Sequence, residues 1–123
     1  MSERLWAVRG AAQADRNDAE SILTATRELV SELIERNGLE PQAFVSIIFT
    51  CTGDLDAQFP AVAARELGLD QVPLLCNREI DVPGAMERVI RLLAHYHAPA
   101  EHRPAHIYLG ETRRLRADLH SAQ

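Results

Sequence analysis

Four histidines lie close together in the chain and are the first candidates for metal chemistry: His95, His97, His102 and His106. The apolar residues before them recur at helical spacing, and side chains two apart on a helix point to nearly opposite sides. No carboxylate lies nearby at a spacing typical of zinc ligands. The sequence therefore predicts neither a bound metal nor a metal-dependent activity.

Nucleophilic catalysis has as little support. The chain contains no glycine-rich phosphate loop, no G-x-S-x-G elbow and no H-E-x-x-H motif. Its candidate serines lie inside segments with helix or strand patterns and have no base beside them. The remaining polar residues at the edges of apolar segments are Arg9, Arg65, Glu79, Arg91, Tyr108 and Arg116. Taken singly, such arginines and glutamates are usually surface ion-pair partners, and such a tyrosine is usually a core aromatic.

The first half of the chain must position these residues on a strand and a long helix. An apolar run at residues 5–11 predicts a strand, with Arg9 at its C-terminal end. Residues 18–37 predict a helix, because apolar side chains recur there at spacings of three and four. Asn17 is the expected N-cap of this helix, and Gly38 is its expected left-handed stop.

The rest of the chain alternates between strand and helix patterns. A β-branched and aromatic run at 44–52 predicts a strand covered on both faces. Pro73 places a third strand near an edge of the sheet. The further predicted elements are a helix at 61–67, that third strand at 71–76, a helix at 84–97 carrying Arg91, a strand at 105–109 and a polar tail from 110. The alternation predicts an α/β fold in which a mixed sheet packs against helices.

Length and composition predict one globular domain over residues 1–123, with 111–123 as a mobile tail. Apolar residues make up 46% of the chain and charged residues 25%, which is the balance of a folded domain. The net charge of −5 disfavours a nucleic-acid or membrane-surface binder. No apolar run approaches the ~20 residues of a membrane helix, and no signal-peptide pattern is present, so we expect a soluble cytoplasmic protein. Cys51 and Cys76 are too few and too far apart for a zinc site or a redox pair.

An ordered set of short motifs spans residues 8–119. The motifs are VRGA at 8–11, DLxxxFPAxxxREL at 54–67, VPxxCxxExDV at 72–82, Arg91, YL at 108–109 and LRxDL at 115–119. Each motif alone is weak, but together they are collinear and place arginine, cysteine and tyrosine at defined separations. In this order they resemble the small monofunctional chorismate mutases of the AroH class.

The resemblance implies an isomerase that converts chorismate to prephenate, a step toward phenylalanine and tyrosine. It also implies a homotrimer whose sheets form a pseudo-barrel, with three equivalent sites at the subunit interfaces. The reaction is an intramolecular Claisen rearrangement, which requires no nucleophile, no acid–base pair and no cofactor. The absence of a triad or metal motif is what such a reaction would lead us to expect.

The same resemblance implies roles for individual residues. Arg91, Glu79 and Arg9 would be catalytic: Arg91 contacts the ether oxygen and a carboxylate, Glu79 orients Arg91, and Arg9 binds a carboxylate. The other substrate contacts would be Tyr108 at a carboxylate, Cys76 with Glu79 near the ring hydroxyl, Phe59, Ala61, Leu74 and Leu75 along the apolar part of the pocket, and Arg65, Leu115 and Arg116 at its mouth.

Three positions depart from the family's pattern. Val62 stands where a basic residue can occur, Leu75 where threonine is frequent, and Ala117 where proline usually follows the arginine. The loss of the proline removes a backbone constraint on the tail. Two alternative functions stay open, a non-catalytic trimeric binder of small carboxylates and an imine deaminase of similar trimeric shape. Arg91 with Glu79 favours the mutase, because a binder needs carboxylate clamps but no cation at the ether oxygen.

Overall fold

A computed structural model describes residues 2–115 as a five-stranded sheet with two helices on one face. The elements are β1 (Glu3–Gln13), α1 (Ala19–Asn37), β2 (Phe44–Cys51), α2 (Ala61–Glu66), β3 (Leu74–Arg78), β4 (Val89–Pro99) and β5 (Ile107–Tyr108), with short 3-10 helices at Pro41–Ala43 and Gly110–Arg114. The strand order is β3-β2-β4-β1-β5. The pairs of β4 with β1 and β2 are antiparallel, and the outer pairs β1–β5 and β2–β3 are parallel. The predicted mixed sheet is therefore confirmed.

The helix predicted at 84–97 is wrong, because this segment contains the central strand of the sheet. β4 buries alternate residues against the helices, from Ile90 to Ala98. The pattern predicted a helix because four apolar residues also match a helical spacing: Met86, Val89, Ile90 and Leu93. Pairing with a strand on each side decides the outcome, since neighbouring strands override a weak local preference.

The long helix ends as predicted but is capped by a different residue. Asp18, not Asn17, is the N-cap, and its Oδ1 accepts from the backbone N–H of Ser21 at 2.7 Å. The Asn17 side chain instead binds the loop after β2, where its amide nitrogen donates to Asp56 at 2.8 Å. Gly38 ends the helix with φ of +62°, the left-handed conformation that glycine adopts without strain.

The two faces of the sheet have different surroundings. The helix face carries the core, in which Val8, Phe49 and Leu92 are almost fully buried with α1 and α2. On the other side, which we call the open face, no helix packs within residues 2–115. The strand residues of this face include Leu5, Ala7, Arg9, Ser46, Ile48, Thr50, Leu75, Asn77, Arg91, Leu93, His95 and His97. The prediction that β2 is covered on both faces is thus wrong for a single chain.

Three strands have boundaries that differ by two or more residues from the sequence-based ones. β1 is longer than predicted, β3 begins at Leu74 and ends at Arg78, and β5 is reduced to two residues. β3 does lie at the edge of the sheet, as Pro73 predicted. No helix among the described residues is long and apolar enough to cross a membrane.

The beginning of the predicted tail packs against β1. Residues Gly110–Arg114 form a 3-10 helix. Thr112 in this helix is fully buried, and its hydroxyl donates to the carbonyl oxygens of Ala11 at 3.0 Å and Leu109 at 2.6 Å. Residues 116–123, which include Arg116 and Ala117, lie outside the described residues.

Candidate active site

The charged centre of the site is an ion pair between a residue of β4 and the residue that follows β3, with β2 between these two strands. Arg91 lies in β4, not on a helix as predicted, and its Nε donates to Oε2 of Glu79 at 2.9 Å. Glu79 follows β3 directly, and its backbone N–H donates to the Cys51 carbonyl at 2.8 Å. The two side chains are only 29% and 15% exposed, so solvent screens the pair less than it would a surface pair.

A hydroxyl group completes this ion pair. Thr50 lies directly opposite Arg91 in the β2–β4 register, and its Oγ1 donates to the same Oε2 of Glu79 at 2.5 Å. One carboxylate oxygen thus accepts two hydrogen bonds. The other, Oε1, has no hydrogen-bond partner within residues 2–115. The carboxylate therefore has one oxygen anchored by the protein and one that a ligand can use.

Arg9 and Tyr108 lie on the same face of the sheet as Arg91. Ala11 pairs with Arg91 on one side and with Tyr108 on the other, so their Cα atoms are separated by two strand spacings, about 10 Å. Arg9 lies two residues before Ala11, inside β1 and not at its end as predicted, because the strand continues to Gln13. Its backbone N–H donates to Nδ1 of His106 at 3.0 Å.

Tyr108 is buried on this face and not exposed beside the arginines. It is 2% exposed and packs with Ala11 and Val89, while Met86 and Leu115 cover this small cluster. The ring is buried as a core aromatic would be, but on the Arg91 side of the sheet and not in the core under the helices. The predicted contact Leu115 lies against the same group. We call Arg9, Thr50, Glu79, Arg91 and Tyr108 the Arg91 cluster.

The glycine that follows Arg9 has a packing reason of its own. A Cβ atom at Gly10 would lie 2.9 Å from Cδ1 of Leu29 and 3.0 Å from the carbonyl oxygen of Ile107. Only glycine lets β1 approach α1 and β5 this closely. The glycine of the VRGA motif therefore sets how closely β1, which carries Arg9, packs against α1 and β5.

The other predicted contacts gather at a cleft beside α2. This cleft has a volume of about 400 Å³ and is lined by Leu55, Phe59, Pro60 and Cys76 among others. Phe59 is 66% exposed, an unusual state for a phenylalanine in one chain. Ala61 and Arg65 lie on α2 next to Cys76. We call this region, with Phe59, Ala61, Arg65 and Cys76, the Phe59 cleft.

The cysteine in the cleft is a neutral thiol and not an activated nucleophile. Burial raises the pKa of Cys76 above its ordinary value, against the lowering effects of the Ala61 backbone N–H and the Arg65 charge. A protonated thiol can contact a polar ligand but attacks poorly. Cys51 is the buried strand residue that its sequence predicted, and burial raises its pKa to about 12.

The Arg91 cluster and the Phe59 cleft do not meet in one chain. Arg91 pairs with Thr50, whose side chain is on the open face, whereas Cys76 pairs with Phe49, whose side chain is in the core on the helix face. Of the remaining predicted contacts, Leu74 packs against the core and Leu75 is 61% exposed on the open face. The predicted site residues are thus divided between the two sides of the sheet.

Comparison with known proteins shows to which family this chain is similar. The family model for chorismate mutase type I matches residues 5–119. The chain is 46% identical to chorismate mutase AroH of Thermus thermophilus over 118 residues, covering 94% of this chain and 97% of that protein. It is 37% identical to chorismate mutase AroH of Bacillus subtilis (strain 168) over 114 residues, covering 91% and 90%. A solved chorismate mutase from Clostridium thermocellum has a TM-score of 0.83 and 43% identity, covering 89% of this chain and 98% of that one.

The chain belongs to the type I chorismate mutase family. The resemblance seen in the motifs is confirmed, and the protein is an isomerase of this family. The matched residues 5–119 include both helices, both regions of the site and all of the sheet except the first two residues of β1.

Sequence reasoning about this chorismate mutase missed two residues of the site. Thr50 was not singled out, because its place opposite Arg91 exists only once residues 89–99 form a strand. Arg78 lines the Phe59 cleft, where its guanidinium lies over Gly53 and pairs with Asp81 at 2.8 Å. A strand assignment for residues 89–99 would have indicated that Thr50 pairs with Arg91. The alternation of side chains along β3 would have indicated that Arg78 lies on the same face as Cys76.

The histidines are distributed differently from what a helix would give. His95 and His97 lie on the same face of β4, so the prediction that their side chains point to opposite sides is wrong. His95 lies 3.4 Å from the Ser46 hydroxyl, and Nε2 of His102 lies 2.7 Å from the Tyr96 hydroxyl. No group of three or more histidines, cysteines or carboxylates that could hold a metal occurs between residues 2 and 115.

Proposed function

We propose that this protein converts chorismate to prephenate in a site that two subunits of a homotrimer share. In this rearrangement one C–O bond breaks and one C–C bond forms within a single molecule. All atoms and electrons stay in the substrate, so the protein has only to bind one conformer and stabilise the charge that develops.

The observation that carries the proposal is the partly buried Arg91–Glu79 pair. As the C–O bond breaks, negative charge grows on the ether oxygen, and a fixed cation beside it stabilises the transition state more than the ground state. Glu79 takes the hydrogen bond from Nε of Arg91. The two terminal nitrogens of the guanidinium, which have no partner among residues 2–115, are left for the ether oxygen and a carboxylate.

The shared site follows from the division of the residues between two sides of the sheet. The sheet separates a substrate at Arg91 from Cys76 of the same chain, and the cleft that Cys76 and Phe59 line is not lined by Arg91 or Glu79. A second subunit that covers the open face would bring its own Phe59 cleft to the Arg91 cluster. The exposed apolar side chains Leu5 and Leu75 on the open face support such a contact, since burying them removes apolar surface from water.

Within this shared site the two regions have different tasks. Arg9 and Tyr108 hold one carboxylate on the Arg91 side, and Glu79 with the partner's cleft holds the ring hydroxyl. The exposed Phe59 of the neighbouring chain with its Ala61 and Leu74, together with Leu75 on the open face, encloses the apolar part and selects the compact chair-like conformer. Arg65 closes the mouth, together with Arg116 from outside the described residues. The cytoplasmic location stays a prediction.

The proposal is tested by adding the purified protein to chorismate and following the loss of chorismate absorbance, with EDTA present throughout. We expect turnover to prephenate that EDTA does not reduce, and a light-scattering mass close to three times 13.7 kDa. Binding of chorismate without its consumption would instead establish the non-catalytic binder. A fully active monomer would contradict the shared site.

A further inference from the structure

We propose that Thr50 is a positioning residue of the active site, acting through Glu79 on Arg91. The inference rests on the proposed function and adds to it a residue that touches neither the ether oxygen nor a carboxylate of the substrate. Its basis is the hydrogen bond of 2.5 Å from Oγ1 of Thr50 to Oε2 of Glu79, the same atom that accepts from Nε of Arg91.

The glutamate needs such an anchor because its own torsion does not fix the carboxylate. The last torsion of a glutamate side chain joins sp³ and sp² carbons, and its energy well is broad. The ion pair with Arg91 supplies one direction for Oε2. A second hydrogen bond to the same atom from a different strand leaves the carboxylate one orientation, in which Oε1 is free for the ligand.

The strand register makes Thr50 the residue that can supply this bond. Thr50 and Arg91 are directly opposite each other in the β2–β4 ladder, so both donors approach the carboxylate from the sheet below it. Glu79 is also held at its backbone N–H by the carbonyl of Cys51, the next residue after Thr50. β2 therefore fixes both ends of the Glu79 residue, the main chain through Cys51 and the carboxylate through Thr50.

A loosened carboxylate would disturb the cation more than the binding of substrate. The Arg91 side chain is held by Glu79 alone among the described residues, so a mobile Glu79 leaves the guanidinium free to move from the ether oxygen. Small displacements of a preorganised charge affect the transition state, where the charge is needed. The effect is therefore expected in kcat, while KM, to which Arg9 and Arg65 also contribute, changes little.

The test compares Thr50→Val with Thr50→Ser. The valine variant has no hydroxyl, and we expect kcat to fall about 10-fold with KM within about threefold of wild type, since hydrogen bonds to charged groups have roughly this effect. Thr50→Ser keeps the hydroxyl and should retain at least about half of the wild-type kcat. Ser46→Ala removes a hydroxyl from the same face of the same strand, four residues from Thr50, and should leave kcat unchanged.

A double variant separates positioning from a general loss of structure. On a Glu79→Ala background, Thr50→Val should cause no further fall in kcat, because the group through which Thr50 acts is gone. An additional 10-fold loss on that background, or no rescue by serine, would overturn the proposal. If Thr50→Val does not fold, Thr50→Ala provides the same comparison. Wild-type turnover is measured first, so an inactive wild type would refute the proposed function and not the role of Thr50.

Discussion

The Arg91 cluster and the Phe59 cleft differ in how much of their geometry one chain fixes. In the cluster, Glu79 accepts hydrogen bonds from two strands and both charged side chains are mostly buried. In the cleft, Phe59 is two-thirds exposed and Arg65 lies on the exposed side of a short helix. The proposed shared site would require this difference: the groups for the chemical step are preorganised within one chain, whereas those that would enclose the substrate are left to be completed by a neighbouring subunit.

The largest effect should come from removing the cation of the cluster. Arg91→Met keeps much of the side-chain volume and should lower kcat by roughly 10²–10³-fold, by analogy with the loss of one oxyanion-hole donor. Arg91→Lys should recover only part of the rate, because an ammonium lacks the planar fork that serves a carboxylate and the ether oxygen together.

Circular dichroism provides the control: the spectrum of Arg91→Met should match that of the wild type, because strand β4 should persist in the variant. A folded Arg91→Met protein with kcat within threefold of wild type would show that Arg91 is a structural ion-pair residue. The division between a chemical and an enclosing region would then be wrong.

A charge reversal in the cleft should have an effect of a different kind. Arg65→Glu places a negative charge where a dianionic substrate enters, so kcat/KM should fall by about 10–10²-fold and the loss should shrink as salt is added. Arg103→Glu makes the same change of net charge on an exposed arginine in the loop before β5, at the edge of the sheet opposite β3, and serves as the matched control. Equal losses in the two variants would show a general charge effect and no specific role for the cleft.

The apolar part of the cleft should contribute less than its charge. Phe59→Ala removes a side chain that a single chain leaves 66% exposed, so the free energy of unfolding of the isolated subunit should change little. If a neighbouring subunit and the substrate cover this ring, kcat/KM should fall by about 10-fold, mainly through KM. An unchanged KM in steady-state kinetics would place Phe59 outside the site.

The smallest effect is expected far from both regions and concerns stability alone. Burial lowers the pKa of His102, which bonds to Tyr96, and burial raises the pKa of Tyr96 to about 12, so the tyrosine stays neutral at ordinary pH. The unfolded chain therefore binds the His102 proton more tightly, and the free energy of unfolding should fall as the pH drops below 6.5.

Urea unfolding at pH 5 and pH 8 measures this dependence. His102→Gln should reduce the difference between the two midpoints, whereas His97→Gln, at an exposed position in β4, should keep it. A wild-type midpoint that does not fall between pH 8 and pH 5 would contradict the assignment. kcat at pH 8 should be the same in all three proteins, because His102 lies in neither region of the site.

The comparison also shows what the sequence could and could not predict. Helix α1, the mixed sheet and the edge position of β3 followed from periodicity, Gly38 and Pro73. The strand around Arg91 did not, because apolar residues on both of its faces match helical and strand spacings alike. Only pairing with β1 and β2, which are distant in the chain, distinguishes the two.

The same limit applies to the site. Motif order made Arg9, Glu79, Arg91 and Cys76 candidates, but it does not show on which side of the sheet the side chain of each one lies. Thr50 could not be recognised from the sequence, because its proposed role depends on its position opposite Arg91 in the sheet. The burial of Tyr108 likewise depends on Met86 and Leu115, which only the fold brings over it.

The shared site is tested most directly by mixing two variants that are each impaired in a different region. Arg91→Met subunits have an intact Phe59 cleft, and Arg65→Glu subunits have an intact Arg91 cluster. After the two proteins are unfolded together and refolded at equal concentrations, random trimers should contain both intact regions at about one quarter of their interfaces. We predict that kcat/KM for chorismate returns to about one quarter of the wild-type value. No recovery above the separately refolded variants, with mixed trimers demonstrated by mass spectrometry, would show that each site lies within one chain.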